Sequence, residues 1–157
     1  MTDGEQIRRA TATWTGNLLN GDGRVSAATS GAFEDLGVSW TARTEAPGGS
    51  TSPEELIAAA HAACFSMAFS NTLTKDGTPP GELRVTAAVT FARSESGWSI
   101  ASSHLDVSGR VDGSSQDAFA DAAERAKDGC PVSRALKGNV ALSVTATLEG
   151  DMAGATA

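Results

Sequence analysis

The sequence predicts a mixed α+β domain, with largely antiparallel sheet set around a long, buried central helix. Three observations carry this reading. Several short segments alternate apolar and polar residues with a period of two, as half-buried strands do. One segment, Thr51 to Ser70, opens with helix-capping residues and then stays apolar on nearly every face. The elements follow in the order β-β-β-α-β-β-α-β, which groups strands together instead of alternating them with helices.

The first strand is expected over Arg9 to Thr15, where Ala10, Ala12 and Trp14 alternate with threonines. Asn20-Gly-Asp-Gly reads as a turn, with Arg24 to Thr29 returning as the hairpin partner. A third strand is expected near Val38 to Thr44, ended by the loop Pro47-Gly-Gly-Ser50. In the central helix Ser52 can cap, Pro53 suits the first helical position and Glu55 completes a capping box. Glu54 and Glu55 also lie at the positive end of the helix dipole. The helix should reach about Thr74, with Gly77 beyond it. Apolar on nearly all sides from Leu56 to Phe69, it is expected to be buried all round.

Leu83, Val85, Ala87, Val89 and Phe91 mark a fourth strand. Trp98 to Val111 is a less regular fifth strand with room for a bulge. Ser114 or Ser115 should cap a second helix that buries Phe119, Ala122, Ala123 and Ala126 and stops at Gly129. Pro131 opens a short helix to about Leu136. A last strand covers Val140 to Leu148. The core is expected over residues 8–149 of one domain, with a flexible tail over 150–157. No repeat and no linker interrupts it.

Composition narrows the function. At 157 residues, 40% hydrophobic and 20% charged, the chain has the make-up of one globular domain. The formal charge of -7 repels a phosphate backbone, so nucleic acid is not an expected partner. The run Leu56–Phe69 is shorter than a bilayer needs, and the first residues lack the apolar stretch of a secretory signal. Two cysteines cannot make a disulfide scaffold. The expected compartment is the cytoplasm, where thiols stay reduced.

Those two cysteines are the candidate chemistry. Cys64 lies mid-helix, where a small core side chain is the plain reading. Cys130 sits at the start of a short helix, a location that favours a thiolate, so local context makes it the more reactive-looking of the two. They are 66 positions apart, yet both helices should pack in one core. A peroxidatic and a resolving cysteine need such closeness, because a sulfenic acid on one is closed to a disulfide by the other. A mid-helix thiol also needs a cation, and arginine stays charged when partly buried. His61, one turn before Cys64, is either an activating base or a packed core histidine. His61, Cys64, His104 and Cys130 could in principle ligate zinc, but lack a second close ligand pair. Glu54, Glu55 and Arg43 have ordinary roles available, as first-turn acids and a solvated strand end.

Ser52-Pro-Glu-Glu-Leu-Ile-Ala-Ala-Ala-His-Ala-Ala-Cys-Phe-Ser-Met-Ala closely resembles the central helix of the OsmC/Ohr family, the osmotically inducible and organic hydroperoxide resistance proteins. Ala126-Lys-Asp-Gly-Cys-Pro-Val-Ser-Arg-Ala-Leu resembles its second-cysteine motif, and the likeness extends from about Ala10 to Leu148. The resemblance implies an OsmC-like fold, an intertwined homodimer with sites at the subunit interface, and a thiol peroxidase reducing organic hydroperoxides, and hydrogen peroxide less readily. It implies Cys64 as the peroxidatic and Cys130 as the resolving cysteine, with Glu54 holding an arginine. The His-Ala-Ala-Cys-Phe-Ser-Met-Ala segment is similar to the OsmC branch, which implies Arg43; Arg24 is the alternative in an Ohr-like site. A dithiol reductant, lipoyl-type or a smaller dithiol, is implied, with no metal or organic cofactor. Two other classes stand beside it: a cysteine hydrolase using Cys64 with a histidine, and a redox sensor or binding protein without turnover.

Overall fold

The computed structural model describes residues 4–150. The tail expected at the C-terminus lies, from Asp151, outside those residues. The chain divides into two compact units, one up to Leu56 and one from Ile57 on. Each contains its own three-stranded sheet.

In the first unit, β1 (Thr11–Thr15), β2 (Asp22–Ser26) and β3 (Leu36–Val38) form an antiparallel sheet in that order. The hairpin turn falls earlier than the Asn20-Gly-Asp-Gly cluster suggests. Asn17 closes it, its carbonyl accepting from the Gly21 N–H at 2.8 Å and its side chain from the Asn20 N–H at 2.8 Å. Asp22 and Gly23 are strand residues. Gly23 is small because Trp14 pairs opposite it: a Cβ there would meet the Trp14 ring at 2.8 Å and Val38 Cγ2 at 2.8 Å.

The third strand is shorter than expected. It ends at Val38, and Trp40–Thr44 is a helix, α1. Ser39 is its N-cap, the side chain accepting from the Ala42 N–H at 3.1 Å, and the Thr44 hydroxyl donates to the Trp40 carbonyl at 2.8 Å. Arg43 is therefore a helical residue and not a strand end. Helix α2 (Pro53–Lys75) begins in this unit. Its cap is the expected one, with Ser52 Oγ accepting from the Glu55 N–H at 3.1 Å. The expected capping box is only half formed, because the Glu55 carboxylate accepts from the Thr51 hydroxyl at 2.7 Å instead of from the Ser52 N–H.

The second unit holds the remainder of α2 and the sheet of β4 (Glu82–Ser94), β5 (Gly97–Arg110) and β6 (Ala141–Leu148), with β5 central. β4 and β5 are antiparallel, and the expected irregularity is a register shift: Thr90 faces Ser102 while Phe91 faces Ile100. β6 runs parallel to β5, from Ser102↔Ala141 to Gly109↔Leu148, which departs from a largely antiparallel expectation for this sheet. The connection supplies the reason, because parallel neighbours need a long crossover. Here it is made by α3 (Gln116–Gly129) and α4 (Pro131–Leu136). Ser115 caps α3, accepting from the Ala118 N–H at 3.1 Å, and the predicted residues Phe119, Ala122, Ala123 and Ala126 are its buried ones.

The core of this unit joins Phe65, Phe69 and Leu73 of α2 to Leu105 and Val107 of β5 and to the apolar face of α3. Phe69 packs on Phe119 with ring centroids 4.9 Å apart. By length and composition α2 is long and apolar enough to cross a bilayer, more so than its apolar run implies. Its packing is that of a core helix with one covered stripe: His61, Phe65, Phe69 and Leu73, four residues apart, are buried. Ala59, Ala60, Ala63 and Met67 on other faces are exposed in the single chain, which corrects the expectation of burial all round.

One buried group in this core is polar. His61 is fully buried, its Nδ1 2.6 Å from Ser103 Oγ on β5 and its Nε2 2.8 Å from Ser133 Oγ on α4. Both serines are buried too, so the three groups satisfy one another. Burial lowers the pKa of His61 from its ordinary 6.5, holding the ring neutral.

Two outcomes follow from this packing. Gly109 has no room for a side chain: a Cβ would meet Leu83 Cδ2 at 2.7 Å and Phe119 Cζ at 3.0 Å. Gly109→Ala is expected to cost about 1–3 kcal/mol by overpacking, read as a lower urea midpoint; an unchanged midpoint would contradict this packing. His61 makes stability depend on pH. Above 6.5 the ring is neutral in both states. As the pH falls below that value the unfolded chain takes up a proton that the folded one refuses, so stability drops, and the loss is complete below the folded pKa. Urea melts across this range should show that slope, and His61→Gln should flatten it.

Candidate active site

The two cysteines come together within the second unit. Cys64 is half-buried on α2 and Cys130 is buried between α3 and α4; both are free thiols. Cys130 is the C-cap of α3 and the N-cap of α4, a one-residue hinge set by Pro131 at the first position of α4. That hinge turns the start of α4 onto α2. Cys64 packs against the buried cluster that contains Cys130, with the backbone of Val132 nearby. The pKa of Cys64 is raised. Desolvation is the largest cause, the Cys130 side chain adds to it, and the Val132 N–H opposes it. The arrangement therefore favours contact between the side chains more than ionisation of Cys64.

Arg43 and Glu54 come together within the first unit. Arg43 Nε lies 3.0 and 3.1 Å from the two Glu54 carboxylate oxygens, and its Nη2 donates to Oε1 at 2.7 Å. Such a fork fixes the guanidinium plane as well as its position. The Glu54 carboxylate side chain is only 7% exposed, while that of Arg43 is 29% exposed, so the acid is sunk beneath a cation that keeps an open side. The Arg43 guanidinium also lies 5.9 Å from the Trp40 ring centroid, a cation–π contact. Beside it opens a mostly apolar cleft of about 360 Å³, walled by Trp14, Leu18, Val38, Trp40 and Pro53. The first-turn position of Glu54 comes from the Ser52-Pro-Glu-Glu cap, and that of Arg43 from the Ser39 cap of α1.

Other candidates are engaged elsewhere. Arg24, the alternative arginine, lies on β2 in a loose, exposed pair with Asp22 at 3.7 Å. Both ring nitrogens of His61 are taken by serines, which leaves none for Cys64. His104 points to the other face of the sheet from Ser103, its Nδ1 2.6 Å from Ser143 Oγ and its Nε2 3.1 Å from Thr145 Oγ1. The four possible zinc ligands do not converge, and no metal-binding cluster occurs among the described residues. Sequence reasoning missed Ser39, Ser103, Ser133 and the Val132 N–H. Of these only Ser39, directly before the Trp40 helix, carried a local signal, that of an N-cap.

Comparison with known proteins places these residues in a family. The family model described as OsmC-like protein matches residues 46–145. The chain is 38% identical over 135 residues to the peroxiredoxin OsmC of Escherichia coli (strain K12), covering 86% of this chain and 93% of that protein. The match to the peroxiredoxin OsmC of Shigella flexneri has the same extent. Among solved structures, an organic hydroperoxide resistance protein from Elizabethkingia anophelis is 26% identical, with a TM-score of 0.67 over 92% of this chain and 99% of that one. The organic hydroperoxide resistance protein OhrB of Bacillus subtilis, 22% identical with a TM-score of 0.66 over 88% and 98%, shares the fold. With a family match across both cysteines and 38% identity to a peroxiredoxin over most of its length, the chain belongs to the OsmC family and is an oxidoreductase of the peroxidase class.

Proposed function

We propose that this chain reduces organic hydroperoxides, and hydrogen peroxide less readily, to alcohols in the cytoplasm, as a defence against oxidative and osmotic stress. The observation that carries the reading is the approach of Cys130 to Cys64 across 66 positions of sequence. Cys64 is the peroxidatic cysteine. Its thiolate attacks the distal oxygen of the hydroperoxide; the O–O bond breaks, the alkoxide takes a proton and leaves as an alcohol, and Cys64 becomes a sulfenic acid. The Cys130 thiol attacks that sulfur and water leaves, giving a Cys64–Cys130 disulfide. An external dithiol, lipoyl-type or smaller, is oxidised as it returns both thiols.

Arg43 is the cation that offsets the raised pKa of Cys64 and polarises the peroxide, with Glu54 holding its guanidinium. The two-point carboxylate grip supports this role, since arginine fixed in this way cannot swing away or lose its charge. The apolar cleft beside Arg43 suits an alkyl or aryl group, which favours organic hydroperoxides over hydrogen peroxide. The working form is an intertwined homodimer, each chain acting as one OsmC-like domain. The uncovered faces of α2, with Ala59, Ala63 and a 68% exposed Met67, support an arrangement in which a second copy covers them. The hydrolase alternative loses its base, because the nitrogens of both histidines are bonded to hydroxyls.

The reading is tested by mixing reduced protein with an alkyl hydroperoxide and dithiothreitol and following peroxide loss. Cys64→Ser should abolish it. Cys130→Ser should still form a sulfenic acid, trapped by dimedone, but no intramolecular disulfide on mass analysis. Arg43→Ala should slow the first step by roughly a hundredfold, the scale of losing one preorganised charge-stabilising group. Undiminished turnover by Cys64→Ser would reverse the assignment of the thiols, and a peroxide-driven disulfide without turnover would make the protein a sensor. Sedimentation should find a dimer at micromolar concentration; a stable monomer would refute the dimeric arrangement.

A further inference from the structure

One imidazole joins three elements of the second unit. His61 stands on α2 one turn before Cys64, Ser103 on β5, and Ser133 on α4 three residues after Cys130. A neutral ring has one N–H and one bare nitrogen, so one serine hydroxyl accepts from it and the other donates to it. All three residues are buried, where hydrogen bonds are short, directional and costly to leave unmade. α4 has six residues and no side-chain cap, so it cannot hold its place by its own helical stability. Its first turn is nevertheless held against α2 by the bond of Ser133 to His61, with the neighbouring Val132 N–H placed to oppose the rise in the Cys64 pKa.

We propose that His61 is a positioning residue for the reactive thiol, its bond to Ser133 locking the first turn of α4 onto α2 in the register that keeps Cys130 and the backbone of Val132 beside Cys64. His61 takes no proton from Cys64, since both its nitrogens are committed. Its bond to Ser103 anchors the ring to the sheet and has no direct hold on α4. The two serines therefore touch the same ring with different consequences. The role deepens the peroxidase reading and rests on it for its effect on turnover, while the thiol itself reports the positioning directly.

The test is the pH profile of Cys64 alkylation by iodoacetamide in the reduced full-length protein, with the modified cysteine identified by peptide mass analysis. Ser133→Ala and His61→Leu should move the midpoint upward and slow alkylation at neutral pH about fivefold, the scale of one lost hydrogen bond. His61→Gln, which also offers one donor and one acceptor, should restore most of the rate. Ser103→Ala should leave the midpoint where it is in the unaltered protein. An unmoved midpoint in folded Ser133→Ala overturns the proposal, and so does an equal shift in Ser103→Ala, which would indicate a general loosening of the core. Should the His61 variants fail to fold, the two serine variants decide. Peroxide loss is followed on the same proteins: no turnover by the unaltered protein overturns the peroxidase reading, while the alkylation profiles still judge His61.

Discussion

A thiol among apolar side chains resists ionisation, while a thiol attacks a peroxide only as its thiolate. The rest of the site is organised by that conflict. Burial raises the Cys64 pKa, and the neighbouring Cys130, the partner in the proposed disulfide, raises it further. Within the second unit the opposing contribution is a single backbone N–H, that of Val132. One neutral donor offsets only part of a desolvation cost. In the proposed mechanism the missing charge comes from Arg43, whose guanidinium the Glu54 carboxylate grips at two points. On that proposal one pair brings the sulfurs together and the other supplies charge.

The same economy of means governs the core. A six-residue helix, a hinge at Cys130 and a proline at the next position bring the second thiol to the first. Shape complementarity around Phe65, Phe69 and Phe119 sets the distance between the helices and the sheet. It is a poor guide to register, because apolar surfaces slide at little cost. A hydrogen-bonded histidine among them does not slide, since its partners are satisfied at one setting only.

How far these features were legible in the sequence depends on the distance over which each is encoded. Strands with a clean period-two pattern and the capped helices α2 and α3 were readable from neighbouring residues. Ser52 and Ser115 cap as local rules require. α1 was hidden because one turn of helix is too short for a periodic signal, so Arg43 was assigned to a strand. The direction of β6 was hidden because alternation is the same in parallel and antiparallel strands; only the crossover decides it. The uniformly apolar α2 could be read as buried, but hydropathy does not say which molecule covers each face. The site divides in the same way. Residue types and the cap at Glu54 were visible, and family resemblance matched the cysteines. The partners of His61, 42 and 72 positions away, had no local mark at all.

The parallel pairing of β5 with β6 has a consequence for how the chain acquires its chemistry. Parallel neighbours cannot zip up from a tight turn; the ladder closes after the whole α3–α4 crossover has been laid across the sheet. Cys130 travels in that crossover. Cys64 lies 66 residues earlier, so until the crossover is in place it lacks that neighbour. The thiol pair therefore depends on a contact between residues 66 positions apart. Detaching the crossover would dissolve the pair, so the chemistry is coupled to a long-range part of the fold.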